Sequence, residues 1–113
     1  MHYINGERLK GDFLELISAS RDVNPRIVSL PRFKILHSLS ATGPDGVTFR
    51  ELSSGLGITD GLLYSNLKTL EEMGIIRSKK ILLGGKELES YYFTEQGYNE
   101  WSKTIKRLKM LVQ

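Results

Sequence analysis

The sequence predicts one small α+β domain that is mainly helical, and three observations support this prediction. First, apolar residues recur three or four positions apart in several stretches, as on the buried side of a helix. Second, two β-rich runs flank a glycine pair at 84 and 85, as in a hairpin. Third, 113 residues are enough for one hydrophobic core and little more, so we do not expect a separate catalytic domain.

The composition excludes several classes of site. The chain has no cysteine, which excludes disulfides, zinc fingers and iron–sulfur ligation by its own side chains. With only two histidines, of which His37 lies in an apolar helix, we expect no metal site and no cofactor. The net charge of +3 permits a polyanionic partner without requiring one. Charged residues interrupt residues 1–13 before any apolar run, so we expect a soluble, cytoplasmic protein with no membrane segment.

The N-terminal third predicts two helices. The first runs from Glu7 to about Ser20, and its spaced apolar residues are Leu9, Phe13, Leu16 and Ile17. Pro25 separates the two helices, because proline lacks an amide donor and restricts the residue before it. The second helix begins near Pro31, which suits a first helical turn. Its inward residues are Phe33, Leu36 and Leu39.

The middle of the chain predicts two helices joined by a tight turn. Residues 41–46 are a dense turn signal, and Val47 after them is a candidate strand residue. Thr48 and Glu51 have the spacing of a capping box, which begins a short helix at residue 49 that ends near residue 56. Gly57 suits a left-handed helix end, and Thr59 suits the next N-cap. The helix that follows places Leu63, Leu67 and Leu70 on one side and stops at Gly74.

The C-terminal part predicts a hairpin followed by a helix. Two β-rich runs within residues 75–93 are joined by the connection at 83–86. Thr94 then caps a last helix with an apolar seam. The seam consists of Tyr98, Trp101, Ile105, Leu108 and Val112.

The order of these elements, helix, short helix, turn, helix and hairpin, is that of a winged helix-turn-helix domain. Four motifs strengthen this interpretation: FKILHSL at 33–39, TFREL at 48–52, GITDGLLYSNLKTLEEMGII at 57–76 and YYFTEQG at 91–97. They resemble the winged-helix regulators related to the MarR and ArsR groups, over roughly residues 25–113. The expected organisation is an N-terminal helical extension at 1–24, a winged-helix DNA-binding domain at 25–94 with a two-stranded wing, and a C-terminal dimerisation helix at 95–113.

The resemblance implies a transcriptional regulator rather than an enzyme, with double-stranded DNA as its partner. The motif at 59–74 resembles the recognition helix and its exit into the wing. Its candidate contact residues are Thr59, Leu62, Tyr64, Ser65, Asn66, Lys68 and Thr69. We expect Ser65, Asn66 and Thr69 to project outward, where they can hydrogen-bond base edges or phosphates. Only Lys68 on this face is cationic, whereas relatives commonly carry several basic or polar residues there.

The remaining DNA-contact candidates are basic residues in or near the wing, namely Arg50, Arg77, Lys79, Lys80 and Lys86. Residues 50–93 contain six basic and six acidic side chains, so only segregation by face can produce a positive surface. We favour phosphate contact over a merely solvated hairpin. The cations at 103, 106, 107 and 109 are better explained as the polar side of the last helix.

Two questions remain open at this level. The apolar seam can form a homodimer together with Phe13, Leu16 and Ile17, which we favour, or it can pack within its own domain. The whole domain can also be a protein-interaction module, in which exposed Leu62 and Tyr64 form the partner surface. The sequence identifies no operator, no effector and no direction of regulation.

Overall fold

The computed structural model describes Ile27 and residues 29–112. These residues form, in order, helix α1 (Leu30–Ser40), strand β1 (Val47–Thr48), helix α2 (Phe49–Gly55), helix α3 (Asp60–Glu72), strand β2 (Ile76–Leu83), strand β3 (Lys86–Phe93) and helix α4 (Glu95–Val112). The predicted first helix, with Phe13, Leu16 and Ile17, lies outside the described residues. No helix in the described part is long and apolar enough to cross a membrane.

Helix α1 begins where the sequence predicted. The Arg32 amide donates to the Ser29 hydroxyl at 3.4 Å, and Pro31 occupies the first turn. Its buried residues are Ile35, Leu36 and Leu39, and Phe33 packs against them half-buried.

The helix-turn-helix follows from local capping, as predicted. The Glu51 amide donates to the Thr48 hydroxyl at 3.1 Å, and the Thr48 amide donates to the Glu51 carboxylate at 2.9 Å. Gly57, at φ +67°, turns the chain after α2, and the Leu62 amide donates to the Thr59 hydroxyl at 3.2 Å at the start of α3. The predicted leucines of α3, at 63, 67 and 70, are all buried.

The sheet has one strand more than the predicted two-stranded wing. Its order is β1-β3-β2, all antiparallel, and β1 pairs with the inner end of β3. The pairing is close because Gly46, at φ +79°, brings the chain against β3: a Cβ there would lie 2.3 Å from the Tyr91 carbonyl oxygen. The wing proper is the hairpin of β2 and β3. Gly84 and Gly85 form its turn, both at positive φ.

Helix α4 begins against the start of β2. The Gly97 amide donates to the Thr94 hydroxyl at 2.8 Å, which confirms Thr94 as the cap. The Thr94 hydroxyl in turn donates to the Gly74 carbonyl at 2.6 Å. A Cβ at Gly97 would lie 1.8 Å from the Ile75 carbonyl oxygen, so only glycine permits this contact.

Trp101 corrects the prediction of one continuous dimer seam. Its ring centroid lies 5.2 Å from that of Phe33 and 6.4 Å from that of Phe93, and its side chain is 5% exposed. Ile105 also packs against the core, half-buried. These two residues belong to the domain's own core, because α4 packs there against aromatic side chains of α1 and β3. Tyr98 and Val112 remain exposed.

Candidate nucleic-acid interface

Helix α3 presents a polar outward surface with little charge. Leu62, Tyr64, Ser65 and Lys68 are exposed, and Thr69 is half-buried. The Thr69 hydroxyl donates to the Ser65 carbonyl at 3.1 Å, yet its oxygen can still accept a bond from a ligand. Thr59 is exposed at the N-cap, where its hydroxyl already accepts the cap bond. The surface can therefore approach a polyanion, but it supplies one cation of its own.

Asn66 does not belong to this surface, contrary to the sequence prediction. It is 8% exposed and lies on the buried side of α3 beside Leu63, Leu67 and Leu70. Its Nδ2 donates to the Leu62 carbonyl at 2.8 Å, and its Oδ1 accepts from Arg32 Nε at 2.8 Å. The core-facing stripe of a helix is wider than three leucines, and position 66 falls inside it. Asn66 therefore has no free face for reading a base.

The wing sorts its charges onto two faces. Opposed residues of paired strands share a face, and successive residues alternate between faces. Arg77 lies opposite Tyr92 and Lys79 opposite Ser90, on the same face as the pair Leu83 and Lys86. Lys80 lies opposite Glu89, on the same face as the pair Leu82 and Glu87. We call the first set (Arg77, Lys79, Lys86) the basic wing face and the second set (Lys80, Glu87, Glu89) the acidic wing face.

The individual lysines of the wing differ in their surroundings. Lys80 Nζ lies 3.3 Å from the Glu87 carboxylate, so its charge is offset on the acidic wing face. Lys79 Nζ donates to the Pro44 carbonyl at 3.2 Å and lies 5.3 Å from the centroid of the Tyr92 ring. Lys86 forms no ion pair within residues 29–112 and is exposed.

Arg77 and Arg50 complete the set of candidate cations. Both are exposed, Arg77 near the base of the basic wing face and Arg50 in the first turn of α2. Neither forms an ion pair within the described residues. The structure thus leaves these two arginines available to an outside anion.

The wing tip is apolar, which the sequence reasoning did not anticipate. Leu82 is 77% exposed and Leu83 is 59% exposed, directly before the glycine turn. Ile81 and Leu88 face each other across the strands and are half-buried. The sequence did contain a signal, which is the run of three aliphatic residues at 81–83. Successive residues of a strand point to opposite faces, and a hairpin that extends beyond the core cannot bury both faces.

An acidic junction joins α3 to the acidic wing face. The Ser78 hydroxyl donates to the Glu71 carboxylate at 3.3 Å. Beside it, a shallow groove of about 310 Å³ is lined by Tyr64, Leu67, Lys68, Glu71, Glu72 and Tyr91. Burial, helped by the charges of Glu71 and Glu89, raises the pKa of Tyr91 to about 12. The carboxylates make this side of the wing unfavourable for a phosphate.

Comparisons with known proteins agree with this geometry. The family model described as a winged helix DNA-binding domain matches residues 31–112. No curated protein sequence matches the chain significantly. Solved structures do match, and the likeness to those described below, at 17–18% identity, shows a shared fold.

Three of these structures illustrate the likeness. The transcriptional regulator homologue from Pyrococcus horikoshii superimposes with a TM-score of 0.68 at 18% identity, over 87% of this chain and 93% of its own. A MarR-family transcriptional regulator from a Rhodococcus species gives 0.65 at 17% identity, over 95% and 72%. MosR from M. tuberculosis, crystallised with DNA, gives 0.61 at 17% identity, over 96% and 80%. The winged helix predicted from the order of elements is confirmed.

Proposed function

Because the chain belongs to the winged helix DNA-binding domain family, we propose that it is a sequence-selective regulator of transcription that binds double-stranded DNA. Helix α3 enters the major groove, and the wing at about residues 75–93 lies against the neighbouring backbone or minor groove. The crystallisation of MosR with DNA supports this assignment, since the two chains share the fold. The sorting of wing charges is the observation that carries the proposal.

The basic wing face supplies the phosphate contacts in this proposal. Residues 50–93 contain six basic and six acidic side chains. If these charges were mixed over the surface, the surface would not attract DNA. Strand alternation instead gathers Arg77, Lys79 and Lys86 on one face and places both wing glutamates on the other. DNA that approaches the basic wing face therefore meets cations without adjacent carboxylates of the strands.

In this proposal, the outward residues of α3 contact the bases. Ser65 and Thr69 carry hydroxyl groups that can bond base edges, and Lys68 can bond guanine or a phosphate. Leu62 offers an apolar contact for a thymine methyl group. With one cation and two hydroxyls, each position discriminates weakly, so the regulator depends on the shape of the site and on two half-sites more than on a single strong contact.

Two half-sites require a dimer, which we propose forms through the exposed apolar residues of α4. Tyr98, Leu111 and Val112 are exposed while Trp101 is committed to the core, so the contact surface is narrower than the full predicted seam. The predicted residues Phe13, Leu16 and Ile17 stay part of this proposal. Sedimentation at micromolar concentration should show a dimer, and Val112→Asp should shift it toward a monomer that keeps the circular dichroism spectrum of the folded chain.

The test of the function is a mobility shift on DNA from upstream of the protein's own gene, with unrelated DNA as competitor. We expect a complex that survives competitor and a randomised-site selection that returns one preferred sequence.

The second candidate function, a protein-interaction module, is favoured by the exposure of Leu62, Tyr64, Leu82 and Leu83. The second candidate would be favoured if unrelated competitor DNA abolished the complex and the randomised-site selection returned no preferred sequence.

A further inference from the structure

The recognition helix is fixed to α1 by a pair of hydrogen bonds in which Asn66 is the central group. Asn66 occupies a position on the buried stripe of α3 where an apolar residue is the ordinary occupant. Its amide is satisfied on both sides, by the Leu62 carbonyl within α3 and by Arg32 Nε from α1. A hydrogen-bonded amide in a helix interface is directional, unlike leucine packing.

The geometry points to Arg32 and Asn66 as positioning residues for DNA recognition, an inference that rests on the proposed function above. The bond from Arg32 Nε to Asn66 Oδ1, at 2.8 Å, joins residues 34 positions apart and is charge-assisted. The bond from Asn66 Nδ2 ties the same amide to the backbone of α3 at Leu62. Together they set the rotation of α3 about its axis relative to α1.

Rotation is the variable that decides which side chains face the groove. Leucines at 63, 67 and 70 fill the core, but apolar contacts tolerate sliding and small rotations at little expense. A change of helix rotation moves Ser65, Lys68 and Thr69 together, because all three project from one rigid helix. The pair therefore controls sequence discrimination at every position that α3 reads, while touching no base itself.

The contribution of this polar pair to positioning can be separated from its contribution to stability. Replacing both partners of a buried polar pair by apolar residues of similar size is often neutral or stabilising, whereas removing one partner leaves the other unpaired. We therefore expect the double variant Arg32→Met, Asn66→Leu to remain folded, which circular dichroism measures. Its DNA complex should lose discrimination against competitor on the order of tenfold.

The experiment compares the wild type, the double variant and Ser38→Ala by randomised-site selection and by mobility shift. Ser38 is a matched control, because its hydroxyl donates to the Lys34 carbonyl within α1 and does not bond α3. The double variant should flatten base preference at all positions under α3 while keeping the salt slope, since no phosphate contact is lost. Ser38→Ala should keep the wild-type profile.

Several outcomes would overturn the inference. A folded double variant with the wild-type profile shows that the pair is merely structural, and loss of preference at a single base position shows that Asn66 reads that base. If the double variant does not fold, Arg32→Met alone serves instead, because methionine keeps most of the side-chain length but has no donor for the Asn66 Oδ1. An unchanged profile for Arg32→Met then overturns the proposal. A wild type without any sequence preference would count against the proposed function rather than against this pair.

Discussion

Helix α3 and the wing are neighbours in the fold, but they are held in different ways. Helix α3 has four buried residues and the Arg32–Asn66 bond, so its orientation is set by the core. Within the described residues, the outer half of the wing is held by its own strand ladder and the Lys80–Glu87 ion pair, and Leu82 and Leu83 are exposed. The difference indicates that the helix provides a fixed shape for recognition, whereas the wing provides an arrangement of charge that tolerates substitution.

The largest expected effect separates the two regions by stability. Leu67 is 1% exposed in α3, so Leu67→Ala should lower the free energy of unfolding by about 2–5 kcal/mol through lost burial and a cavity. Leu83→Ala at the wing tip should change it by less than about 0.5 kcal/mol. Urea denaturation followed by circular dichroism measures both, and similar losses in the two variants would mean that the wing tip is packed.

The base and the tip of the wing can be compared through two glycines. Both Gly46 and Gly84 have positive φ, but a Cβ at Gly46 meets the Tyr91 carbonyl oxygen, while a Cβ at Gly84 meets nothing within 4 Å. Gly46→Ala should therefore lower stability by about 2–4 kcal/mol, from strain plus collision. Gly84→Ala should lower it by about 1 kcal/mol, from strain alone. Equal losses in thermal unfolding would contradict the close approach at Gly46.

Tyr91, at the junction of helix and wing, should make stability depend on alkaline pH. Its folded pKa of about 12 exceeds its ordinary value of 10.0, so folding favours the protonated phenol. This contribution is fully present below pH 10 and is lost as the pH rises toward 12. Its size is at most about 3 kcal/mol, since each pKa unit corresponds to about 1.4 kcal/mol.

Tyr91→Phe isolates that contribution from the other groups that titrate at high pH. The variant should lose less stability than the wild type between pH 9 and pH 12, roughly the range set by the two pKa values. Unfolding curves at several pH values give the difference. Parallel pH profiles for the two proteins would show that Tyr91 titrates normally.

The smallest expected effect tests the two wing faces against each other. Removing one phosphate contact should flatten the dependence of log affinity on log salt by about one unit. Arg77→Ala and Lys86→Ala should each do so, while Lys80→Ala should leave the slope unchanged because Lys80 is paired with Glu87. Fluorescence anisotropy from low to moderate salt measures the slopes. A flatter slope for Lys80→Ala alone would place the DNA on the acidic wing face.

Local signals in the sequence were sufficient for most of the fold. The capping box at Thr48 and Glu51, the left-handed Gly57 and the cap at Thr94 depend only on nearby residues, and all three were predicted correctly. The two charged faces of the wing could also have been predicted from the sequence. A turn at Gly84 and Gly85 fixes the strand register, and the register determines which charges share a face.

Two site assignments failed because they depend on distant residues. Trp101 was placed in a dimer seam, yet its partners, Phe33 and Phe93, come from other elements. Asn66 was taken as a base reader because it lies outside the set of core leucines at 63, 67 and 70, yet it is buried and its Oδ1 accepts from Arg32 of another helix. The spacing of apolar residues within one helix does not indicate which residues of other elements contact it. The apolar wing tip was missed for a different reason, since its aliphatic run was taken only as a signal for a strand.

The closure of the wing at its base has a consequence for how such a domain can change over evolutionary time. The Thr94 hydroxyl bonds the Gly74 carbonyl and the Thr94 amide bonds the Ile75 carbonyl at 3.0 Å, so the two ends of the hairpin are fastened independently of its length. Lengthening each strand by two residues keeps the alternation and preserves both charged faces. Lengthening each by one exchanges the faces of every residue beyond the insertion. Descendants of this wing should therefore grow or shrink in steps of two residues per strand whenever the charge pattern is under selection.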